Sequence, residues 1–378
     1  MKKILSRIGL SLLFLLILVA VFSPSYMNKA IRYGHVKIDN YIIFENREVK
    51  TGTAIPWEHD SLYNANRIDT GSLRQFGQYG TIAFVVVQNN KLLHEQYWDG
   101  YSDSSLSNSF SAAKSIISLL IGCLIDERKI RSLDQEITDF LPEFTHNNGN
   151  VLRIRDLLTM SSGIEWDEGY SNLFSPTTKA YYGKDLSQQV LSLNVVEEPG
   201  KIFTYQSCNT QLLALIVKKA SGMTVSAFAS EKLWKPLGAE HPAFWSLDRK
   251  NGVEKAYCCF NSSATDFARI GQMVLDSGIF NHQQVVSKRY ISEAIAPATF
   301  LRDNEGDSCY YYGYQFWMLT HNRQHVIYAR GILGQYIFII PSLDAVVVRL
   351  GTDRSKEHIN HAPQDAYMYL DAAFTMLK

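Results

Sequence analysis

Strand-like sequence stands at both ends of this 378-residue chain, with helix-like sequence between them, and that order constrains the fold more than any other feature. Residues 81–88 (TIAFVVVQ) are β-branched and apolar, Asn89-Asn90 tolerate positive φ, and residues 91–98 (KLLHEQYW) alternate. This predicts a hairpin. From Ser111 the period lengthens. Ala112, Ile116, Leu119, Leu120, Cys123 and Leu124 recur at helical spacing up to about Glu127. Further helices are predicted over 153–160, 209–220 and 225–237, the second of them stopped by Ser221-Gly222. Strand patterns return over 313–320, 325–330, 335–340 and 345–351, with Pro341-Ser342-Leu343-Asp344 as the last hairpin turn. Residues 363–377 read as a closing helix, and 28–75 as an irregular lead-in. The expected fold is α/β (α+β). An antiparallel sheet drawn from 28–114 and 276–378 is flanked by helices, and an all-helical part over 115–275 is inserted between its halves.

Composition removes several classes of function. Lys+Arg and Asp+Glu both total 37, so the formal charge is zero, and a nucleic-acid binder would carry a basic excess. Hydrophobic residues at 46% are too many for a disordered chain. A protein that crosses the membrane many times would need several apolar runs of about 20 residues. One run appears, over 8–22, behind Lys2, Lys3 and Arg7. Basic then apolar is the order of a secretory signal or signal anchor, and without a small-x-small cleavage site we favour an uncleaved anchor over residues 1–27. The body, 28–378, is then expected outside the cytoplasm, tied to the membrane by this segment or secreted. The five cysteines are scattered and form no CxxC, so buried free thiols are expected; Cys258 and Cys259, being adjacent, are poorly placed to bridge each other.

Three elements carry chemistry. Ser111 and Lys114 lie three residues apart at the start of a helix, on one face, where a desolvated amine can take the serine proton. Tyr205 follows the Pro199-Gly200-Lys201 turn at a loop-to-helix junction, where a phenol can relay protons. Ala329-Arg330-Gly331-Ile332 lies between two predicted strands, where glycine permits close backbone approach and an edge N–H can meet an oxyanion. Glu165, Asp167 and Glu168 cluster beside Trp166, as a solvated loop or as a substrate rim. No G-x-S-x-G and no H-E-x-x-H occurs, so neither an α/β-hydrolase elbow nor a zinc site is expected.

Taken in this order, Ser111-x-x-Lys114, the Tyr205 stretch (FTYQSCNTQLLALIV) and the glycine-bearing strand pair (ARGILGQYIFIIP) resemble the serine β-lactamase and penicillin-binding superfamily. The similarity runs over about 81–350 and includes LLTMSSGIEWDE. The class C-like branch fits best, and within it the 6-aminohexanoate-dimer hydrolase subgroup. The resemblance implies a β-lactamase/transpeptidase-like fold with the site between sheet and helical parts. It implies Ser111 as nucleophile, Lys114 as base and Tyr205 as proton-transfer partner. The backbone N–H groups of Ser111 and Ile332 would form the oxyanion hole, with Ser207, Asn209, Arg330, Gly331 and Trp166 around the substrate. It implies a small amide, peptide or ester substrate and no metal or organic cofactor. The sequence also departs from the class C pattern. Tyr205-Gln206-Ser207 replaces Tyr-x-Asn, and Ala329-Arg330-Gly331 replaces Lys-Thr-Gly, with Arg330 one position off and facing the other side of its strand. Efficient β-lactam hydrolysis is therefore not expected. Two other readings are a membrane-anchored penicillin-binding-like receptor that is acylated without turnover, and a D-stereospecific peptidase acting on cell-wall peptides.

Overall fold

The structure, a computed structural model, describes residues 24–146, 151–170 and 172–377. The apolar run over 8–22 lies outside the described residues.

The helices that matter to the site are α1 (Ser25–Tyr33), α2 (Thr70–Gln78), α3 (Ala113–Asp126), α4 (Pro176–Tyr182), α5 (Ser207–Ser221), α6 (Ala264–Leu275) and α7 (Gln364–Phe374). The strands are β1 (Asn46–Val49), β2 (Thr81–Gln88), β3 (Lys91–Tyr97), β4 (Ser107–Asn108), β5 (Ala243–Ser246), β6 (Phe260–Ser262), β7 (Trp317–His321), β8 (Gln324–Gly331), β9 (Gln335–Ile340) and β10 (Ala345–Gly351). The main sheet has six antiparallel strands in the order β3-β2-β10-β9-β8-β7. It joins the two ends of the chain where β2 pairs with β10, Val85 opposite Val348.

Both faces of this sheet are covered, so its central strands are apolar runs rather than alternations. Alternate residues feed two separate cores. Val85, Val87, Ile337, Val346 and Val348 face α3 and α6. Phe84, Val86, Phe338 and Val347 face Phe76 of α2 and Tyr369 and Leu370 of α7. Gly271 lets α6 lie close to the sheet, since a Cβ there would stand 2.5 Å from a Val346 methyl. Asn89 and Asn90 take φ of 50° and 58° in the β2–β3 turn, and Asp344 takes 45° in the turn before β10.

Two expectations are corrected. The lead-in over 28–75 is not irregular: it contributes α1, β1 and α2. The stretch 115–275 holds the helices expected of it but also β5 and β6, which pair with β1 and β4 in a second sheet of order β1-β5-β6-β4. These strands are two to four residues long, too short to set up a period, and only neighbours distant in sequence stabilise them. The small sheet bears directly on the site: β4 ends two residues before Phe110, and the Ser109 N–H donates to Phe260 O at 2.8 Å.

Candidate active site

Ser111 sits in a single 3₁₀ turn, Phe110–Ala112, that runs straight into α3. Phe110, buried and next to the serine, holds φ at +44°, a left-handed conformation that bulky residues seldom adopt. Its N–H is satisfied by the Asn108 side-chain oxygen at 2.9 Å. The small sheet and this bond together over-determine the turn, so Ser111 is presented half-buried at its apex.

Lys114 is one turn further and 1% exposed. Its Nζ lies 3.1 Å from Ser111 Oγ, 3.1 Å from Ser207 Oγ and 2.8 Å from the backbone oxygen of Tyr257. All three partners are neutral. The ring centroid of Tyr205 is 5.1 Å from the same nitrogen, and that of Tyr257 5.6 Å. Tyr205 is held by Trp317 at 5.3 Å and, edge to face, by Tyr312 at 6.2 Å. Ser207 opens α5 and leans on Glu168: its N–H donates to Oε2 at 2.7 Å and its hydroxyl to Oε1 at 2.5 Å.

A cleft of about 640 Å³ opens onto Ser111, Ser207 and Tyr257, while Lys114 and Tyr205 stand behind its lining. Ser111, Ser207 and Ile332 line it, and the aromatic rings of Phe110, Tyr181 and Tyr257 form much of its apolar wall. Ile332 stands where β8 ends, in the Ile332–Gly334 turn. Gly331 brings that strand end against the turn that carries Ser111, since a Cβ at Gly331 would stand 2.2 Å from Ser109 O. The backbone beside Ser111 and the backbone at Ile332 therefore share one edge of the cleft.

The sequence model of the beta-lactamase family matches residues 71–369. The chain belongs to this family. A curated relative, the 6-aminohexanoate-dimer hydrolase of Paenarthrobacter ureafaciens, is 27% identical over 287 residues, which cover 72% of each chain. A solved structure from Bacillus anthracis, assigned as a 6-aminohexanoate-dimer hydrolase, matches with a TM-score of 0.77 at 22% identity, covering 92% of this chain and 94% of that one. A D-stereospecific amidohydrolase from Streptomyces sp. matches with a TM-score of 0.59 at 14% identity, over 81% of this chain and 98% of that one. At these identities the two structures carry the fold alone: mixed α/β, with antiparallel sheets and packed helices.

Within this beta-lactamase-family chain, the residues assigned to substrate binding divide. Ser207 lines the cleft and Gly331 stands at its edge beside Ile332. Asn209 is fully buried on α5, its amide donating to Met160 Sδ at 3.5 Å, and does not line the cleft. Trp166 is turned inward, and its indole N–H donates to Glu168 Oε2 at 2.7 Å. Arg330 takes the far side of β8, as strand parity requires: its guanidinium lies 3.4 Å over the Trp317 ring and donates to His361 O at 2.8 Å. It backs Trp317, which backs Tyr205. Trp317 and Tyr257 had no sequence signal. Glu168 had one, its place in the acidic cluster, and its inward orientation excludes the solvated-loop reading for that residue. One thiol expectation is corrected too. Cys258, on the cleft wall, and Cys259 form a disulfide, the φ of +67° at Cys259 turning the neighbouring side chains together. Cys123, Cys208 and Cys309 are buried free thiols, and burial pushes each thiol pKa up.

Proposed function

We propose that the protein is a serine acyl-hydrolase that cleaves a small amide, peptide or ester through a covalent Ser111 acyl-enzyme. The observation that carries the reading is Lys114, buried 3.1 Å from Ser111 Oγ and bonded, among the described residues, to two hydroxyls and a carbonyl and to no carboxylate. An amine held by neutral acceptors in a dry site can serve as a base.

Ser111 Oγ attacks the substrate carbonyl carbon while its proton passes to Lys114 Nζ. The carbonyl π pair becomes an oxyanion that accepts from the N–H groups of Ser111 and Ile332. Its collapse breaks the bond to the amine or alcohol, which takes the proton from Lys114, directly or through the Tyr205 hydroxyl. Water then attacks the acyl ester, gives its proton to the same base, and Ser111 leaves as the hydroxyl. Arg354 and Lys356 on the cleft wall favour substrates with a carboxylate, and the curated 6-aminohexanoate-dimer hydrolase relative supports an amide. The Lys2, Lys3, Arg7 and 8–22 pattern supports an extracytoplasmic body held at the membrane.

The test is intact-protein mass spectrometry with a fluorophosphonate, alongside turnover of a short-chain aryl ester, a D-alanyl peptide, a β-lactam and a linear aminohexanoate dimer. A single adduct on Ser111, and turnover of ester and linear amide above β-lactam, is expected. Ser111→Ala should remove the adduct and lower turnover by several orders of magnitude. Retained turnover in that variant overturns the mechanism, and acylation with no release converts the enzyme into a receptor.

A further inference from the structure

The tyrosine motif ends in Ser207, where the class C pattern has asparagine, and the structure surrounds that serine with partners that give its hydroxyl a direction. Glu168 accepts four hydrogen bonds. Oε1 takes the hydroxyls of Ser207 at 2.5 Å and Tyr170 at 2.6 Å, and Oε2 takes the Ser207 N–H and the Trp166 indole N–H, both at 2.7 Å. Four donors match the lone-pair capacity of an ionised carboxylate, which accepts only.

We propose that Glu168 is a positioning residue for acylation, acting on Lys114 through Ser207. A serine hydroxyl has one proton, and Ser207 gives its proton to Glu168. Ser207 Oγ then faces Lys114 Nζ, 3.1 Å away, only as an acceptor. The Tyr257 carbonyl, 2.8 Å from the same nitrogen, can only accept as well. A neutral amine has two N–H bonds and one lone pair. With both N–H bonds committed to Ser207 and Tyr257, the lone pair is left to the third neighbour, Ser111 Oγ at 3.1 Å. Glu168 thereby fixes the polarity of the chain Glu168–Ser207–Lys114–Ser111 so that the amine meets the nucleophile as a base and not as a donor. Without the carboxylate, the Ser207 hydroxyl is free to donate to the Lys114 lone pair and turn it away from Ser111.

This inference rests on the acyl-hydrolase reading, and the experiment separates the two. The rate of Ser111 labelling by a fluorophosphonate, and kcat and KM on a short-chain aryl ester, are measured for the full chain, Glu168→Gln, Ser207→Ala and the double variant, with melting temperature as the check on folding. Glu168→Gln should slow labelling roughly 10- to 100-fold, the scale of a misdirected catalytic group, with KM within twofold. In the Ser207→Ala background, Glu168→Gln should add less than threefold, because the residue it acts through is gone. Losses that multiply, or a Glu168→Gln enzyme within threefold of the parent, overturn the relay. If Glu168→Gln does not fold, Ser207→Ala, which keeps the carboxylate and its loop, tests the relay from the other end; a loss below threefold there overturns it too. A parent protein that forms no Ser111 adduct overturns the hydrolase reading and this inference with it.

Discussion

Two helices on one face of the main sheet begin with the same spacing and opposite chemistry. At the start of α3, Ser111 and Lys114 stand three residues apart at 3.1 Å; at the start of α6, Asp266 and Arg269 stand three residues apart at 3.0 Å. The two basic side chains are equally buried, each about 1% exposed. Arg269 is neutralised twice, by Asp266 and by Glu240 at 2.6 Å. Asp266 also accepts the N–H groups of Glu240 and His241 and the Ser263 hydroxyl, so the whole N-terminus of α6 is locked into one ion network. Among the described residues, the hydrogen-bond partners of Lys114 are two hydroxyls and a carbonyl. A guanidinium that stays charged and is matched by carboxylates builds structure. An amine given neutral acceptors can exchange a proton with its neighbour. The i,i+3 geometry is thus indifferent to function, and the charge of the partner decides between a scaffold and a base.

The strongest way to break this comparison is to remove both basic side chains in turn. Lys114→Met should lower aryl-ester turnover by about 10³-fold or more with little change in stability, because the partners left behind are neutral. Arg269→Met should do the reverse. It leaves the buried Asp266 without its guanidinium partner, held by His241, two backbone N–H groups and Ser263 alone, and should cost up to about 3–5 kcal/mol in urea unfolding, while folded enzyme keeps its kcat. A stable, active Arg269→Met or a destabilised Lys114→Met would remove the distinction. A smaller effect is expected where the strand meets the Ser111 turn. The Cβ of Gly331→Ala would press on Ser109 O, so strand end and turn must part; turnover should fall roughly 10- to 100-fold for a stability loss of about 1–3 kcal/mol. Wild-type turnover in Gly331→Ala would show that the Ile332 N–H is not needed.

The parts that were legible in the sequence share a property: they are long enough to show a period. β2 and β3, α3, α5 and the four C-terminal strands all run five residues or more as an apolar run, an alternation or a 3.6 repeat, and they form within four residues of where expected. The small sheet does not. β4 is the dipeptide Ser107-Asn108 and β1 reads Asn-Arg-Glu-Val, and each is a strand only because the others hold it. The site follows the same rule. Ser111 and Lys114 are local, so spacing found them. Glu168 reaches Ser207 across 39 residues and Tyr257 O reaches Lys114 across 143, and no pattern in one sequence encodes such closures. What the sequence did offer was a mismatch: serine where asparagine belongs, beside a loop with more carboxylates than a surface turn requires. Arg330 was legible by parity alone, as the strand period sends it away from the cleft.

The comparison also predicts a difference in acid, smaller than the effects of substitution. Burial alone would raise the Asp266 carboxyl, but the His241 and backbone hydrogen bonds and the Arg269 charge outweigh it and hold the group below the ordinary carboxylate range. A carboxyl whose folded pKa is depressed contributes stability above its unfolded pKa of about 3.9, and that contribution is lost as pH falls through the folded value. His241, raised by the same contact, contributes below its unfolded pKa of about 6.5, so its share is constant between about pH 5 and pH 3. Urea midpoints of the parent should therefore fall more steeply between about pH 5 and pH 3 than those of Asp266→Asn, which cannot titrate. Ser111→Ala, which touches no carboxylate, should keep the parental slope. Equal slopes for all three proteins would mean that the α6 network is no more sensitive to acid than the α3 site, and the contrast would then rest on catalysis alone.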